Sequence, residues 1–248
     1  MKVLGIDIGG SALKGAPVET ATGRLLAERF RIETPEPLTP NAMARAVEEM
    51  AVKFRWRGRI GIGFPGVVHG TRTITAPNLH PRFTGCDTGR LFAKATGCNV
   101  AMVNDADAAG LAEMRFGAGR GVDGPVLLLT LGTGVGTAVF TCGVLYPNSE
   151  FGHLPIRGKS AERFVSAAAR KRRGMGWSEW GPEFGAYLRT LEMLLSPELI
   201  IIGGGASAKS RKWMRYVRTR AKLVPAAFHN EAGIVGAALW AAERRLSS

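Results

Sequence analysis

Apolar residues in this chain come in short blocks cut by glycine. Val3, Leu4 and Ile6 read as a buried strand, Gly9-Gly10 as a turn, and Ala12-Leu13 as a strand resuming. The same grammar returns in Pro125-Val-Leu-Leu-Leu-Thr-Leu-Gly132-Thr-Gly134-Val-Gly136-Thr-Ala-Val-Phe140, which predicts an internal duplication. A third block, Leu199-Ile-Ile-Ile, runs into Gly203-Gly-Gly205. Between the first two, Pro35–Pro40 is a loop and Asn41 starts and caps a helix. Ile60–Phe64 is a short strand, Thr75-Ala-Pro-Asn78 a loop, and Val100–Asn104 a strand leading into a helix from Ala106. Gly233–Arg244 reads as a C-terminal helix. Strands alternating with helices predict an α/β fold.

The turns carry the first chemistry. Gly9 and Gly10 leave backbone free for close approach of an anion, and Ser11 and Lys14 add donors. Asp7 faces that turn, either as a water-mediated holder of Mg²⁺ or as a solvated acid on a plain hairpin. Gly132, Thr133 and Gly134 form a second phosphate-sized turn. A dinucleotide fold, with Glu150 as ribose acid, is the alternative there, but the residues after Gly136 are β-branched and apolar with no helical stripe. The third cluster misses the Walker A pattern because Ala208 stands at its second glycine. Gly204 and Gly205 then either bind an anion at a helix N-terminus or make an ordinary strand-to-helix turn. Asn104 and Asp105 fall at a strand end and a helix start, where ligands gather in open α/β sheets, although Asp105 also suits a simple N-cap.

Composition narrows the class. At 248 residues and 46% hydrophobic, the chain can bury a core and fits one large or two modest domains. No apolar run is long enough for a membrane span, and Met1-Lys-Val-Leu-Gly starts a strand without an apolar leader, so a cytoplasmic address is expected. Cys86, Cys98 and Cys142 show no metal or disulfide spacing and are expected to be reduced thiols. Lys and Arg number 33 against 20 acids, a formal charge of +13. The excess sits in two runs. One holds Arg157, Lys159, Arg163, Arg170, Lys171, Arg172 and Arg173; the other holds Lys209, Arg211, Lys212, Arg215, Arg218, Arg220 and Lys222. Like charges at that density suit a polyanionic partner, with a solvated helix face as the alternative. Trp177, Trp180 and Trp213 lie nearby, able to stack bases but more in keeping with helix packing.

Taken together, these motifs resemble the ROK family of sugar kinases and sugar-sensing repressors within the actin/hexokinase superfamily. Asp7-Ile-Gly-Gly-Ser-Ala-Leu-Lys14 and Leu131-Gly-Thr-Gly-Val-Gly136 match its phosphate motifs, and Gly203-Gly-Gly205 its adenosine-side glycines. Asn78, Asn104-Asp105, Glu150-Phe-Gly-His153 and Glu162-Arg-Phe-Val-Ser166 match its sugar elements. The resemblance implies two ribonuclease-H-like domains flanking a cleft, residues 1–105 with 233–248 and residues 106–232, and a homodimer. It implies Asp105 as general base, and Asn78, Asn104, Glu150, His153 and Glu162 as holders of the sugar hydroxyls. Asp7 would hold Mg²⁺ through water, while Gly9, Gly10, Ser11, Lys14, Gly132, Thr133, Gly134, Gly204 and Gly205 take phosphate.

One departure sharpens this. Leu154–Ala161 lacks the cysteines that usually bind zinc between the last two sugar elements, so no zinc is expected. The chain is similar to the zinc-less, polyphosphate-using glucokinase subgroup, including polyphosphate/ATP glucomannokinases. Phe83 replaces a tryptophan usual there, which leaves glucose against mannose open. The resemblance gives the charge a purpose: Arg170, Lys171, Arg172, Arg173, Lys209 and Lys212 would form a track for inorganic polyphosphate, with ATP as a further donor, and neither nucleic acid nor membrane as partner. A repressor of the family would need a helix-turn-helix before Asp7, and an ATP-only glucokinase leaves the basic runs unexplained.

Overall fold

The computed structural model describes residues 1–77 and 79–244. The chain folds as two compact units, residues 1–112 with the segment from 231, and residues 113–230. In the first, β1 (Lys2–Ile8) and β2 (Ala12–Glu19) form an antiparallel hairpin, extended by the short β3 (Arg24–Leu25) and β4 (Phe30–Glu33). Helix α1 (Pro40–Lys53) follows, then β5 (Ile60–Phe64), the small hairpin of β6 (Val67–His69) and β7 (Arg72–Thr75), α2 (Thr88–Thr96), β8 (Val100–Asn104) and α3 (Asp105–Phe116). β5 and β8 extend β1 in parallel, giving the order β3-β2-β1-β5-β8. Every residue of β5 and β8 is buried, as expected of parallel strands covered on both faces.

The second unit repeats the plan. β9 (Val126–Leu131) and β10 (Val135–Thr141) are the hairpin and β11 (Val144–Tyr146) its edge. The short pair β12 (Pro155–Ile156) and β13 (Lys159–Ser160) leads to helices α4 (Glu162–Val165), α5 (Ala167–Arg172) and α6 (Trp177–Leu195). Then come β14 (Leu199–Gly204), α7 (Ser210–Trp213) and β15 (Lys222–Pro225), with order β11-β10-β9-β14-β15 and the last two strands parallel to β9. A hairpin widened by parallel strands in each unit agrees with the duplication read from the glycine turns.

Helix α8 (Ala232–Glu243) belongs to the first unit and packs on β1, β5 and β8. Its approach is backbone to backbone: a Cβ at Gly61 would strike the Ala237 carbonyl. The first core gathers Leu4, Ile6, Ile62 and Phe64 from the sheet with Met43, Val47 and Met50 of α1. Phe83 is wholly buried in it, its ring 5.6 Å from Phe64. In the second, Trp180 stacks on Phe184 at 4.7 Å and meets Trp213 edge-on at 5.7 Å. Trp180 and Trp213 are therefore packing residues.

Local signals differ from expectation in two places. Helix α1 is capped by Thr39, whose Oγ1 accepts the Ala42 N–H at 3.2 Å, and Pro40 opens the helix with its preset φ, so Asn41 lies inside the first turn. Gly204 does not run directly into a long helix. A 3₁₀ turn, Ser207–Lys209, precedes the single helical turn of α7, where Arg211 and Lys212 have no acid at helical spacing to pair with. An anion site resting on a helix dipole is thus not formed there.

Candidate active site

In the first unit the strand order gathers the chemistry. Asp7, the last residue but one of β1, lies opposite Lys14 of β2 and pairs across to Gly63 of β5. Next along, Asn104 closes β8 and Asp105 opens α3. A Cβ at Gly63 would lie 3.7 Å from the Asp105 Cα and 3.8 Å from the Asp7 Oδ1, so both acids flank one bare backbone position. Burial pushes the Asp7 carboxyl above its usual range, against the opposing pull of Lys14 and Arg29. The Gly9–Ser11 turn is closed by the Gly9 N–H to the Ala12 carbonyl at 3.0 Å. Thr34, which the sequence did not flag, braces it: its hydroxyl donates to the Gly9 carbonyl at 3.0 Å and its N–H to that of Ser11 at 3.2 Å. Gly10 and Ser11 stay exposed.

Asn104 is the helix cap, not Asp105. Its Oδ1 accepts the N–H groups of Ala106 at 2.9 Å and Asp107 at 3.1 Å, and its amide donates to the Gly66 carbonyl at 3.2 Å. Asn104 is buried, and the Asp105 Oδ1 accepts the Ala106 N–H at 2.8 Å. Asn78 lies outside the described residues.

The second unit assembles three of the expected sugar residues. His153 Nε2 is 3.7 Å from Glu150 Oε2, and its Nδ1 is 3.9 Å from Glu162 Oε1. At 42% exposure the His153 side chain is no core histidine. Gly152 lets this turn pack on β10, since a Cβ there would meet the Val135 carbonyl. Burial raises the Glu150 carboxyl above its ordinary value; His153 opposes this and the Glu162 charge adds to it. Glu162 also reaches the end of the Gly132–Gly134 turn, its Oε2 accepting the Val135 N–H at 3.3 Å. The Ala168 N–H of α5 donates to the Gly132 carbonyl at 3.0 Å, so α4 and α5 are tied to both ends of that turn. Gly132 and Thr133 are exposed, and Gly204 pairs with Leu131 directly before them. The third glycine cluster therefore borders the second turn.

Beside them lies a cavity of about 620 Å³ lined by Thr133, Lys159, Glu162, Arg163, Arg172 and Arg173 among others. The first basic run thus divides. Lys159, Arg163 and Arg172 line this cavity with Thr133, whereas Arg170 stacks on Trp177 at 4.0 Å and donates to the Met175 carbonyl. Arg173 holds Glu183 bidentately, at 2.6 and 3.1 Å. Lys171, Lys209 and Lys212 are exposed. Spacing alone had not separated Lys159 and Arg163 from their neighbours; the β13–α4 connection does.

A ROK family model matches residues 3–172. The chain belongs to the ROK family. Among ROK relatives, a polyphosphate glucokinase of Mycobacterium tuberculosis H37Rv is 43% identical over 236 residues, spanning 95% of this chain and 89% of that one. The crystal structure of an inorganic polyphosphate/ATP-glucomannokinase from Arthrobacter sp. strain KM superposes with a TM-score of 0.93 at 44% identity, covering 97% of this chain and 98% of that one. A ROK family glucokinase of Streptomyces griseus, in complex with glucose and AMPPNP, gives a TM-score of 0.82 at 26% identity, covering 98% and 100%. The fold is accordingly the actin/hexokinase-like α/β fold of ROK sugar kinases. Among the described residues no helix is long and apolar enough to cross a membrane, and no three His, Cys, Asp or Glu side chains are grouped to hold a metal ion.

Proposed function

We propose that this protein phosphorylates glucose, and mannose as an alternative acceptor, at the 6-hydroxyl, drawing the phosphoryl group from inorganic polyphosphate with ATP as a second donor. The observation that carries the reading is the cavity shared by Thr133, Glu162, Lys159, Arg163 and Arg172, where a phosphate turn, a sugar-side acid and surplus cations meet. A polymer with about one charge per phosphate is drawn to such a row far more than a compact nucleotide. The names of the M. tuberculosis and Arthrobacter relatives point the same way.

In this mechanism Glu150, His153 and Glu162 hold sugar hydroxyls, and Asn78 adds a further contact. Asn104 orients α3, leaving one amide hydrogen for the sugar. Asp105 takes the proton of the 6-hydroxyl as its oxygen bonds to the terminal phosphorus, the bridging P–O bond breaks, and the donor leaves one phosphate shorter. Lys14, Ser11, Thr133 and the backbone of the turns at Gly9-Gly10, Gly132–Gly134 and Gly204-Gly205 hold donor phosphates, with the Gly9 and Gly132 N–H groups closing their own turns onto the Ala12 and Gly134 carbonyls. The Asp7 carboxylate, on the strand that leads into the Gly9-Gly10 turn, fits Mg²⁺, which takes few protein oxygens and fills its shell with water and phosphate. Bound there, Mg²⁺ would neutralise phosphate charge; zinc has no part. The enzyme works as a cytoplasmic homodimer.

A donor panel of ATP, GTP and long-chain polyphosphate, with glucose and mannose as acceptors, tests this directly. Polyphosphate-dependent glucose 6-phosphate formation is expected. Turnover with ATP alone would refute the polymer assignment, and no sugar phosphorylation with any donor would refute the activity. Zinc at one per chain after chelation and desalting would contradict the zinc-free reading.

A further inference from the structure

The segment Ser149–His153 bears Glu150 and His153, but Glu150 makes no side-chain cap bond and only a short 3₁₀ turn, Phe151–His153, shapes it. Two buried hydroxyls grip it from opposite neighbours in the fold. Tyr187 of α6, 1% exposed, donates to the Phe151 carbonyl at 3.1 Å. Thr137 of β10, also 1% exposed, donates to the Ser149 carbonyl at 2.7 Å and accepts the Phe151 N–H at 3.2 Å. Ser149 returns the contact through its own hydroxyl to the Thr137 carbonyl at 2.9 Å.

We propose that Tyr187 and Thr137 are positioning residues of the sugar site, fixing the backbone from which Glu150 and His153 reach the sugar hydroxyls. The proposal rests on the assignment of Glu150 and His153 to sugar binding. Neither hydroxyl lies in a recognisable motif. Each ties the segment at a backbone group within two residues of Glu150, so loss of either frees the carboxylate and imidazole to shift together. Thr137 also stands on the strand that leaves the Gly132–Gly134 turn, which anchors the sugar segment to a strand already fixed by the sheet. Burial, and secondarily the Glu162 charge, pushes the Tyr187 hydroxyl well above its ordinary pKa, so it remains a donor throughout the working range.

Tyr187→Phe keeps the ring against Phe184, whose centroid is 6.3 Å away, and removes only the hydrogen bond. Thr137→Val keeps the shape and loses the hydroxyl; Thr137→Ser retains it. Tyr187→Phe and Thr137→Val are expected to raise the glucose KM roughly five- to twentyfold, the scale of one buried hydrogen bond, with the polyphosphate KM nearly unchanged. Thr137→Ser should restore most of the loss. Equal rises in both KM values alongside a lower melting temperature would mean general loosening and overturn the role, as would an unchanged glucose KM in Tyr187→Phe and Thr137→Val. Glu150→Gln, measured in parallel, separates the two assignments. If it alone raises the glucose KM, the positioning role fails; if it does not, the sugar site fails and the positioning role with it.

Discussion

Replacing Lys159, Arg163 and Arg172 together by Ala removes three of the four cations that line the cavity beside Thr133 and leaves the fourth, Arg173, in its ion pair with Glu183. All three side chains are exposed, so no core is opened. If each meets one phosphate of the donor, and the flexible polymer releases counterions as single-stranded nucleic acid does, each contact contributes about 0.7 to the slope of log affinity against log salt. Three contacts then give a slope change of about 2. Between 50 and 200 mM salt, wild-type affinity should fall roughly fifteenfold more than that of the triple variant. The assay is polyphosphate KM across a salt series with glucose saturating, beside ATP in the same buffers. Arg170→Ala is the internal comparison: Arg170 stacks on Trp177, so it should lower the melting temperature and leave the salt slope nearly as it was. A triple variant whose salt slope matches wild type, or equal losses for ATP and polyphosphate, would refute the assignment of this cavity to the polymer.

Three further outcomes are expected. Asp105→Asn should lower kcat by ~10²–10⁴ with an unchanged melting temperature, because Asn104 caps α3; Asn104→Ala should instead cost about 1 kcal/mol in denaturant unfolding, plus the tie to Gly66. Retained turnover in Asp105→Asn would remove the base. Asp7 has a raised folded pKa, so its contribution to stability is present at low pH and is lost as pH rises through that pKa. In metal-free buffer Asp7→Asn should therefore melt higher than wild type at pH 7 and not at pH 3; a pH-independent difference would contradict this. Gly61→Ala should lose about 1–3 kcal/mol against α8, whereas Gly10→Ala, which meets open space, should keep its melting temperature and raise the donor KM. Equal melting temperatures for the two would refute the close-packing account.

Much of this protein is set locally. The glycine turns at Gly9-Gly10 and Gly132–Gly134, the strands around them and the acid at Asp7 follow from apolar periodicity and from glycine's lack of a side chain, both properties of neighbouring residues. The excess of positive charge is likewise a property of composition. What the sequence did not disclose depends on partners distant in the chain. That Asn104 caps α3 while Thr39 caps α1 turns on which side-chain oxygen meets a free N–H, and several adjacent residues qualify by type. Which basic residues line the cavity was equally hidden: Arg170 and Arg172 are two positions apart on α5, so they point in different directions, one onto Trp177 and the other into the cavity. Thr34, Thr137 and Tyr187 carry no local signature because a hydroxyl becomes a brace only when folding brings a buried carbonyl within reach of it. Sequence determined the kinds of groups available; burial and strand order decided which of them meet.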